Sequence, residues 1–313
     1  MNSKDIRLAK FKNFMNENFL AGRTLAYIWN HPNNQKRQTQ AVYRFLGWQI
    51  WKRFTGRSIN ISLDEDIKVR CYPDSRSASA ALYCGLYDHN EMSFLQRFLQ
   101  DGDSFLDVGA NIGVYTLLAA AKSPTGHIYS IEALPRNVAR LKENLTLNQF
   151  DHVTVYELAI SDSQGDVSLD LADGDSTPRI ANQDFNRTLQ VSTDTLDNLL
   201  HDKSEELTLA KMDIEGAELL AFRGAHLLLQ KHCPMVWILE INHQIQNFSY
   251  TAEDLATLLD SYGYGLYSYS AEHNQVFSIS LAEKPGNNLL AIARPCLDVV
   301  RQRLAIAAPL PRA

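Results

Sequence analysis

Phe105-Leu106-Asp107-Val108-Gly109-Ala110-Asn111-Ile112-Gly113 is the segment of this 313-residue chain that says most about its architecture. It reads as an apolar strand that runs into a glycine-containing turn, and the apolar run that follows, 114–121, is typical of a helix. A second strand, predicted over 127–131, ends at Glu132. An open parallel sheet builds a nucleotide cleft from a unit of this kind: strand, glycine turn, helix, and a strand ending in an acid. The segment therefore predicts an α/β fold with a cleft at the carboxyl ends of its strands.

The spacing inside the turn indicates which nucleotide fits. A dinucleotide loop has the pattern G-x-G-x-x-G, whereas here Asn111 stands at the second glycine position and Val114 at the third. Asp107, just before the first glycine, is also unusual beside a pyrophosphate. A ligand without a pyrophosphate, but with a sulfonium and an ammonium group, suits D-x-G-x-N-x-G better. S-adenosylmethionine is such a ligand.

Length, composition and charge are those of an ordinary globular protein. The chain is 45% apolar and 21% charged, and it is long enough to bury a full core. A net charge of −6 gives a nucleic-acid partner little electrostatic support, so we expect none. The beginning of the chain has no apolar signal core, and no stretch approaches the roughly 20 apolar residues of a membrane span. We therefore expect a cytoplasmic protein, whose four widely spaced cysteines are free thiols rather than zinc ligands or disulfides.

Strands and helices alternate along most of the chain after residue 100. This order predicts a mostly parallel sheet with helices on both faces. A single helix is predicted over 217–230. Segments 166–171 and 188–192 read as edge strands that flank a loop. Two closing strands, over 264–269 and 288–293, suggest that the last strand enters the sheet antiparallel.

Several motifs follow the first one in a fixed order. They are FLDVGANIGVYTLLAA, YSIEALPRNVARLKENLTLN, ELAISDSQGDVSLDL, TLDNLL, LAKMDIEGAELLAFRGA and VWILEIN. Together they resemble the FkbM family of S-adenosylmethionine-dependent methyltransferases, over roughly residues 85–242. The pair DVGANIG and K-x-D-I-E-G-A-E is the more specific part of this resemblance. Members of the family usually have a proline directly after the acid of the second strand, whereas here Ala133 and Leu134 precede Pro135.

The resemblance implies a class I methyltransferase fold, with seven mostly parallel strands and helices on both faces. It also implies methyl transfer to oxygen, often to a hydroxyl of a sugar, polyketide or other specialised metabolite. The alternatives are an NAD-dependent oxidoreductase and a non-catalytic AdoMet-binding subunit. The missing second glycine argues against the first, and intact acids at the later strand ends argue against the second. N-methylation is disfavoured because Asp213-Ile214-Glu215-Gly216 does not match the DPPY-type motifs expected after the fourth strand.

We expect three parts along the chain. Residues 1–57 form a helical extension, rich in tryptophan and basic residues, and lack family motifs. This extension could pack on the main domain, form a homodimer contact or touch a membrane surface. Residues 58–300 form the methyltransferase domain, and residues 301–313 form a C-terminal tail.

Four candidate cofactor residues belong to the first motif. Gly109 and Gly113 would let the backbone approach the methionine part of S-adenosylmethionine. Asp107 is expected to anchor the loop near the ammonium group, and the side chain of Asn111 could do the same.

Four further candidates stand at other strand ends or in a turn. Glu132, at the end of the second strand, can accept hydrogen bonds from both ribose hydroxyls. Glu157 and Ala159 end the third strand, where the adenine is expected. Asp88, in the turn before the first motif, could reach the cofactor from above.

Methyl transfer to a hydroxyl needs an in-line arrangement and a base that takes the proton of the acceptor. The resemblance implies that the end of the fourth strand faces the transferable methyl group. Asp213 and Glu215 are therefore the first candidates, and Glu240 and His243, after the fifth strand, are the others. Glu215 could instead be a helix N-terminal acid, Glu240 a partner of a loop amide, and His243 a surface residue. Carboxylates at neighbouring strand ends could also hold Mg²⁺, but the spacing establishes no metal site.

Overall fold

The computed structural model describes residues 22–64, 66–171, 188–202, 207–284 and 286–307, and the backbone of 179–180. Its strands are β1 (Ile59–Ser62), β2 (Lys68–Cys71), β3 (Ser104–Val108), β4 (Ile128–Glu132), β5 (Val153–Glu157), β6 (Ala159–Ile160), β7 (Gly165–Asp170), β8 (Arg179–Ile180), β9 (Thr188–Asp194), β10 (Leu207–Met212), β11 (Val236–Glu240), β12 (Tyr264–Ser270), β13 (Gln275–Ser278) and β14 (Asn288–Ala293). Its helices are α1 (22–30), α2 (Gln38–Thr55), α3 (Arg76–Cys84), α4 (His89–Phe98), α5 (Val114–Lys122), α6 (Pro135–Asn148), α7 (Leu196–Leu199), α8 (Glu218–Arg223), α9 (His226–Gln230), α10 (Ala252–Ser261) and α11 (Leu297–Ile306).

The central sheet has the strand order β13-β12-β14-β11-β10-β3-β4-β5. The strands from β5 to β11 in this order are parallel, and β14 enters antiparallel between β11 and β12, as the closing pair of strands suggested. β4 lies on one side of β3 and β10 on the other, so the direction of winding reverses at β3. Ligands of open α/β sheets bind at such a reversal, beside the carboxyl ends of the strands.

The sheet contains eight strands among the described residues, whereas we predicted seven. The additional strand is β13, which forms an antiparallel hairpin with β12 at the edge of the sheet. It is four residues long and mostly exposed, so its sequence carries little of the alternation that reveals longer strands. The class I order of the other seven strands is unaffected.

Helices cover both faces of this sheet. β3, β4 and β10 are buried along their whole length, as expected for parallel strands between two helical layers. Successive residues of β3 serve different layers: Phe105 joins the core that contains α4 and α5, and Leu106 joins the core that contains α8 and α10. This alternation follows from the two-residue period of a strand.

The segment predicted as one helix over 217–230 is broken into α8 and α9. The carboxylate of Asp197 accepts hydrogen bonds from the backbone N–H groups of Leu227 and Leu228, at the start of α9. The backbone N–H of Asp197 in turn donates to the carbonyl of Gly224, between the two helices. A side chain distant in sequence therefore caps the second helix, which local periodicity could not predict.

The chain after residue 300 differs from the tail that we expected at 301–313. Helix α11 crosses this boundary, and its residues Val300 and Leu304 are buried in the main core. Arg303 also pairs with Asp103, at 3.2 Å between Nη2 and Oδ1. The chain up to residue 306 thus packs with the domain because one face of α11 is apolar.

The extension expected over 1–57 lies outside the described residues up to position 21. From residue 22 onward it contains α1 and α2. α2 packs against α3 through Ala41, Phe45 and Trp48, and the indole of Trp48 donates to Ser79 Oγ at 3.1 Å. The division of the chain at residue 57 remains a prediction.

A second, smaller sheet completes the fold. The edge strands predicted near 166–171 and 188–192 are β7 and β9, which pair with each other in a separate four-stranded sheet ordered β6-β9-β7-β8. Among the described residues, no helix has both the length and the apolar character required to cross a bilayer. All four cysteines are free thiols.

Candidate active site

One cavity of about 260 Å³ opens at the carboxyl ends of β3, β4, β10 and β11. The predicted site residues that line it are Asp88, Asp107, Gly109, Asn111, Glu132, Ala159, Asp213, Glu215 and Glu240. Most of them come from strand ends that are far apart in sequence, and the reversal of winding at β3 brings these strand ends together. Gly113, Glu157 and His243 do not line it.

Glu132, the last residue of β4, holds the glycine loop in place. Its two carboxylate oxygens accept hydrogen bonds from the backbone N–H groups of Asn111 and Leu134, each at 2.8 Å. Burial raises the pKa of Glu132, and these hydrogen bonds act in the opposite direction. Asn137 Nδ2 is a third donor, 3.5 Å from Oε1. An ionised carboxylate has about four acceptor positions, so Glu132 retains one for a ligand hydroxyl.

Asp107 lines the cavity and has one carboxylate oxygen without a hydrogen-bond donor among the described residues. One of its oxygens, Oδ2, accepts a hydrogen bond from Thr116 Oγ1 at 2.6 Å. The other, Oδ1, is buried and has no hydrogen-bond partner among the described residues. Burial raises the pKa of Asp107, against the opposing effect of Lys211. A buried carboxylate oxygen without a donor costs free energy, so a ligand that supplies an N–H group there would recover it.

The two glycines of the loop have different tasks. Gly109 has φ = +80°, and a Cβ atom there would collide with the backbone carbonyl oxygen of Asp213. The missing side chain thus lets β3 and β10 end side by side at the cavity. Gly113 has φ = +89° and lies against Leu141 of α6. The prediction that Gly113 contacts a cofactor is not supported by this position, because it serves helix packing.

Lys211 is the cation at the centre of the site. Its Nζ lies 3.0 Å from Asp213 Oδ2 and 4.9 Å from the centre of the Tyr115 ring. Burial by itself would lower the pKa of Lys211, but the carboxylates of Asp213, Asp107 and Asp88 outweigh burial and raise it. Lys211 is therefore a fixed positive charge that neutralises part of an acidic pocket.

Asp88 lines the same cavity as Asp213. It accepts a hydrogen bond from the hydroxyl of Tyr115, with Oδ2 at 3.0 Å. Burial raises the pKa of Asp88 to about 6, against the lowering effects of Lys211 and of the Tyr115 hydrogen bond. The Asp88 carboxyl is thus partly protonated just below neutral pH.

Asp213, directly after β10, and Glu240, the last residue of β11, stand next to each other. Glu240 donates a side-chain hydrogen bond to Asp213. Burial, followed by the charge of Asp213, raises the pKa of Glu240 to about 8. Burial also acts to raise the pKa of Asp213, but Lys211 and the hydrogen bond from Glu240 lower it overall. At neutral pH the pair therefore carries one proton, on Glu240, and one negative charge, on Asp213.

The buried carboxylate of Glu218 stabilises the turn after β10. Glu218 is buried and accepts hydrogen bonds from the backbone N–H groups of Ile214 (3.1 Å) and Gly216 (3.2 Å). Burial raises the pKa of Glu218 to about 7. This turn gives Glu215 a φ of +55° and directs it to the cavity rim, where Asn242 Nδ2 donates to it at 3.4 Å.

Two other candidates lie away from the cavity. Glu157 is exposed at the end of β5, the edge strand, while its sheet neighbour Glu132 is buried. His243 is exposed at the start of the 3-10 helix His243–Asn247. The geometry supports neither residue as a ligand contact or a base, because a solvent-facing side chain at these positions does not reach the cavity.

Some lining residues were not identified from the sequence. They are mainly Arg76 and Ser77 at the start of α3, Tyr87, Tyr115 and Lys211. Lys211 belongs to the K-x-D-I-E-G-A-E motif. It stands two positions before Asp213, so in a strand both side chains point to the same face, and this spacing could have identified it. α3 carried no such signal, because the short segment Arg76–Cys84 resembles any small-residue helix.

The residues of the site do not favour a divalent cation. Among the described residues, no group of three or more His, Cys, Asp or Glu side chains is arranged to hold a metal ion. Lys211 already pairs with Asp213, and Glu240 carries a proton near neutral pH. The Mg²⁺ considered from the sequence would have to displace the Lys211 ammonium group from Asp213 and the proton from Glu240.

The sequence profile of the methyltransferase FkbM domain matches residues 107–266, half of the chain. This range begins at Asp107 and includes Glu132, Lys211, Asp213 and Glu240. No curated protein matches the chain.

Solved structures with a similar arrangement are methyltransferases of distant sequence. A SAM-dependent methyltransferase from Agrobacterium tumefaciens is 10% identical, with a TM-score of 0.40, over 77% of this chain and 71% of that one. TYW2 of P. horikoshii, in complex with MeSAdo, is 13% identical, with a TM-score of 0.38, over 76% and 70%. A precorrin-6y C5,15-methyltransferase from Geobacter metallireducens GS-15 is 14% identical, with a TM-score of 0.36, over 64% and 84%. At these values the similarities carry no information on substrate.

Proposed function

Since the chain belongs to the FkbM family of methyltransferases, we propose that it transfers the methyl group of S-adenosylmethionine to a hydroxyl oxygen of a small molecule. The acceptor class is a sugar, polyketide or other specialised metabolite. The observation that carries the choice of oxygen is the Asp213–Glu240 pair, which offers a group that can take a proton from an alcohol. Family membership removes the NAD-dependent oxidoreductase as an alternative.

The cavity fits S-adenosylmethionine at two charged positions. Asp107 Oδ1, buried and without a donor among the described residues, is a site for the ammonium group. Glu132, which fixes the glycine loop, retains an acceptor position for a ribose hydroxyl. Ala159 and Ile160 offer small and apolar surface for the adenine. When bound, S-adenosylmethionine supplies an electrophilic methyl group.

We assign the general base to Glu240. A base works best when its pKa lies near the operating pH, and the pKa of about 8 for Glu240 meets this condition. Asp213, whose pKa is lowered, is a weaker base and instead raises the pKa of its neighbour. Lys211 keeps Asp213 ionised. Its positive charge also opposes the rise in the pKa of Glu240 that the charge of Asp213 causes.

This assignment predicts a definite pH dependence. Glu240 accepts a proton only in its ionised form, so turnover should increase as the pH rises through about 8. Below this pH most molecules hold the proton on Glu240 and cannot act as a base. Asp88, with a pKa of about 6, is already ionised in this range and does not limit the rate there.

The experiment uses the full chain, S-adenosylmethionine with a ¹³C-labelled methyl group, and a panel of hydroxylated small molecules. We expect labelled methoxy signals by NMR, which differ in chemical shift from methyl groups on nitrogen or carbon. Glu240→Gln should reduce turnover by about 10²–10⁴-fold, the range for a lost general base. Glu272→Gln, an exposed acid elsewhere, is the control and should keep full activity. Label on nitrogen or carbon, or full activity of Glu240→Gln, would refute the proposal.

A further inference from the structure

The N-terminal helices α1 and α2 expose an unusual amount of apolar surface. Eleven large hydrophobic side chains are exposed among the described residues, and seven of them lie between positions 27 and 54. These seven are Tyr27, Trp29, Tyr43, Leu46, Ile50, Trp51 and Phe54. Tyr43 is 74% exposed and Phe54 80% exposed, so α3 does not cover these two side chains. Contiguous exposed apolar surface of this kind marks an interaction site.

Helix α2 has two apolar stripes on opposite sides. The first, Ala41, Phe45 and Trp48, is buried against α3. The second, Tyr43, Leu46, Ile50 and Phe54, has helical spacing of three or four residues and is exposed along its length. At 3.6 residues per turn the centres of the two stripes lie half a turn apart. The second stripe is therefore not required to attach α2 to the domain.

The same segment is strongly basic. Residues 22–63 contain seven Lys or Arg residues and no Asp or Glu, although the whole chain has a net charge of −6. Arg37, Arg53 and Arg57 are exposed on and around α2. The apolar stripe thus lies in a positive region of an otherwise acidic protein.

We propose that the exposed face of α2, with Trp29 of α1, docks on an anionic lipid surface. Trp, Phe and aliphatic side chains flanked by Lys and Arg are the composition of helices that lie in the membrane interface. The basic side chains would remain among the headgroups of acidic lipids, which attract such clusters. No membrane span is involved, because the helix lies on the surface.

The charge distribution selects this occupant over two others. A second copy of the chain, paired through the same face, would bring two basic segments together with no acid in residues 22–63 to neutralise them. Single-stranded RNA would stack on aromatic side chains, but Leu46 and Ile50, in the middle of the stripe, gain nothing from base stacking. Transfer of both aliphatic side chains from water to the acyl boundary of a bilayer is favourable, because it removes apolar surface from water.

Hydrogen bonds join the segment that contains α1 to the wall of the cavity. The Tyr27 hydroxyl donates to the backbone carbonyl of Tyr87 at 2.9 Å, and His31 Nε2 contacts the same carbonyl at 2.9 Å. Asn33 Nδ2 donates to the carbonyls of Cys84 and Leu86 at 3.0 Å each. Tyr87 lines the cavity, so the segment that would lie on the membrane also supports one wall of the site.

The test is sedimentation of the full chain with vesicles of phosphatidylcholine alone and of phosphatidylcholine mixed equally with phosphatidylglycerol. We expect binding to the mixed vesicles only, weakened by salt. In the same vesicles, brominated acyl chains should quench tryptophan fluorescence, since Trp29 and Trp51 are exposed whereas Trp48 and Trp237 are buried. The variant Tyr43→Ser, Ile50→Ser, Phe54→Ser should bind about ten- to a hundredfold more weakly.

A matched control removes the same number of exposed apolar side chains elsewhere. The variant Leu227→Ser, Phe277→Ser, Ile306→Ser should bind vesicles like the unchanged protein. Equal melting temperatures and equal affinity for S-adenosylhomocysteine would show that both variants are folded. Absence of binding to either kind of vesicle, or equal binding by both triple variants, overturns the proposal. So does a wild-type dimer that the α2 variant dissociates, or binding of a single-stranded oligoribonucleotide in place of vesicles.

Discussion

Glu240 donates a hydrogen bond to Asp213 across the junction of two parallel strands. The register of β10 and β11 pairs Met212 with Leu239, so the next residue on each strand is one of the two acids. Two carboxyl groups held side by side in a half-buried position cannot both ionise easily. Lys211, two residues before Asp213 on the same strand, decides that Asp213 is the ionised partner.

The substitution Asp213→Asn distinguishes the roles of Asp213 and Glu240 through the pH dependence of turnover. Removing the charge of Asp213 removes one of the causes that raise the pKa of Glu240, so the rise in turnover should shift to lower pH. Cofactor affinity should stay close to that of the unchanged protein, whereas the melting temperature should fall, because the buried Lys211 loses its nearest counter-ion. Turnover measured from pH 5 to 10 checks this. A loss of about 10²–10⁴-fold at every pH would instead identify Asp213 as the base.

Glu132→Ala should weaken binding of S-adenosylhomocysteine by about 1.5–3 kcal/mol, the value for hydrogen bonds to a charged group. It should also lower the melting temperature, because Asn111 and Leu134 lose the acceptor of their backbone N–H groups. Calorimetry measures the first effect and thermal unfolding the second. Glu157→Ala is the matched control, since this acid stands beside Glu132 on β5 but is exposed. Equal affinities of the two variants would exclude the ribose role.

Gly109→Ala should destabilise the fold by about 3 kcal/mol or more, because it adds strain at positive φ to a collision with the Asp213 carbonyl. Gly113→Ala should cost less, because its Cβ meets the flexible end of Leu141. Gly47→Ala, in an open position of α2, should be neutral or stabilising by up to about 1 kcal/mol. Urea denaturation gives all three values. A different order would mean that β3 and β10 adjust more readily than their contact indicates.

Treatment with a chelator should leave turnover within about twofold of the untreated enzyme. The reason is that Lys211 and the proton on Glu240 already neutralise the acids that a divalent cation would need. Addition of Mg²⁺ after chelation should likewise have no effect. Activity that disappears with chelator and returns with Mg²⁺ would show that a metal acidifies the acceptor hydroxyl instead.

The sequence alone determined the nucleotide-binding frame. β14 begins and ends at the predicted residues, and β3 and α5 lie where the first motif predicted a strand and a helix, because apolar periods and flanking glycines are local signals. Family membership followed from two motifs at strand ends. The separate roles of Gly109 and Gly113 did not, since these depend on the backbone of Asp213 and on Leu141.

Only the tertiary structure decided which acids work together. The pKa of Glu240 depends on burial and on a neighbour 27 positions earlier in the chain, which no local pattern encodes. Glu157 and His243 occupy plausible positions in the sequence, yet the edge of the sheet and a surface turn leave them in solvent. Similarly, only the structure divides the apolar residues of α2 into a buried and an exposed stripe. Desolvation and Coulomb forces act through space, so a site that depends on them becomes visible only once the chain is folded.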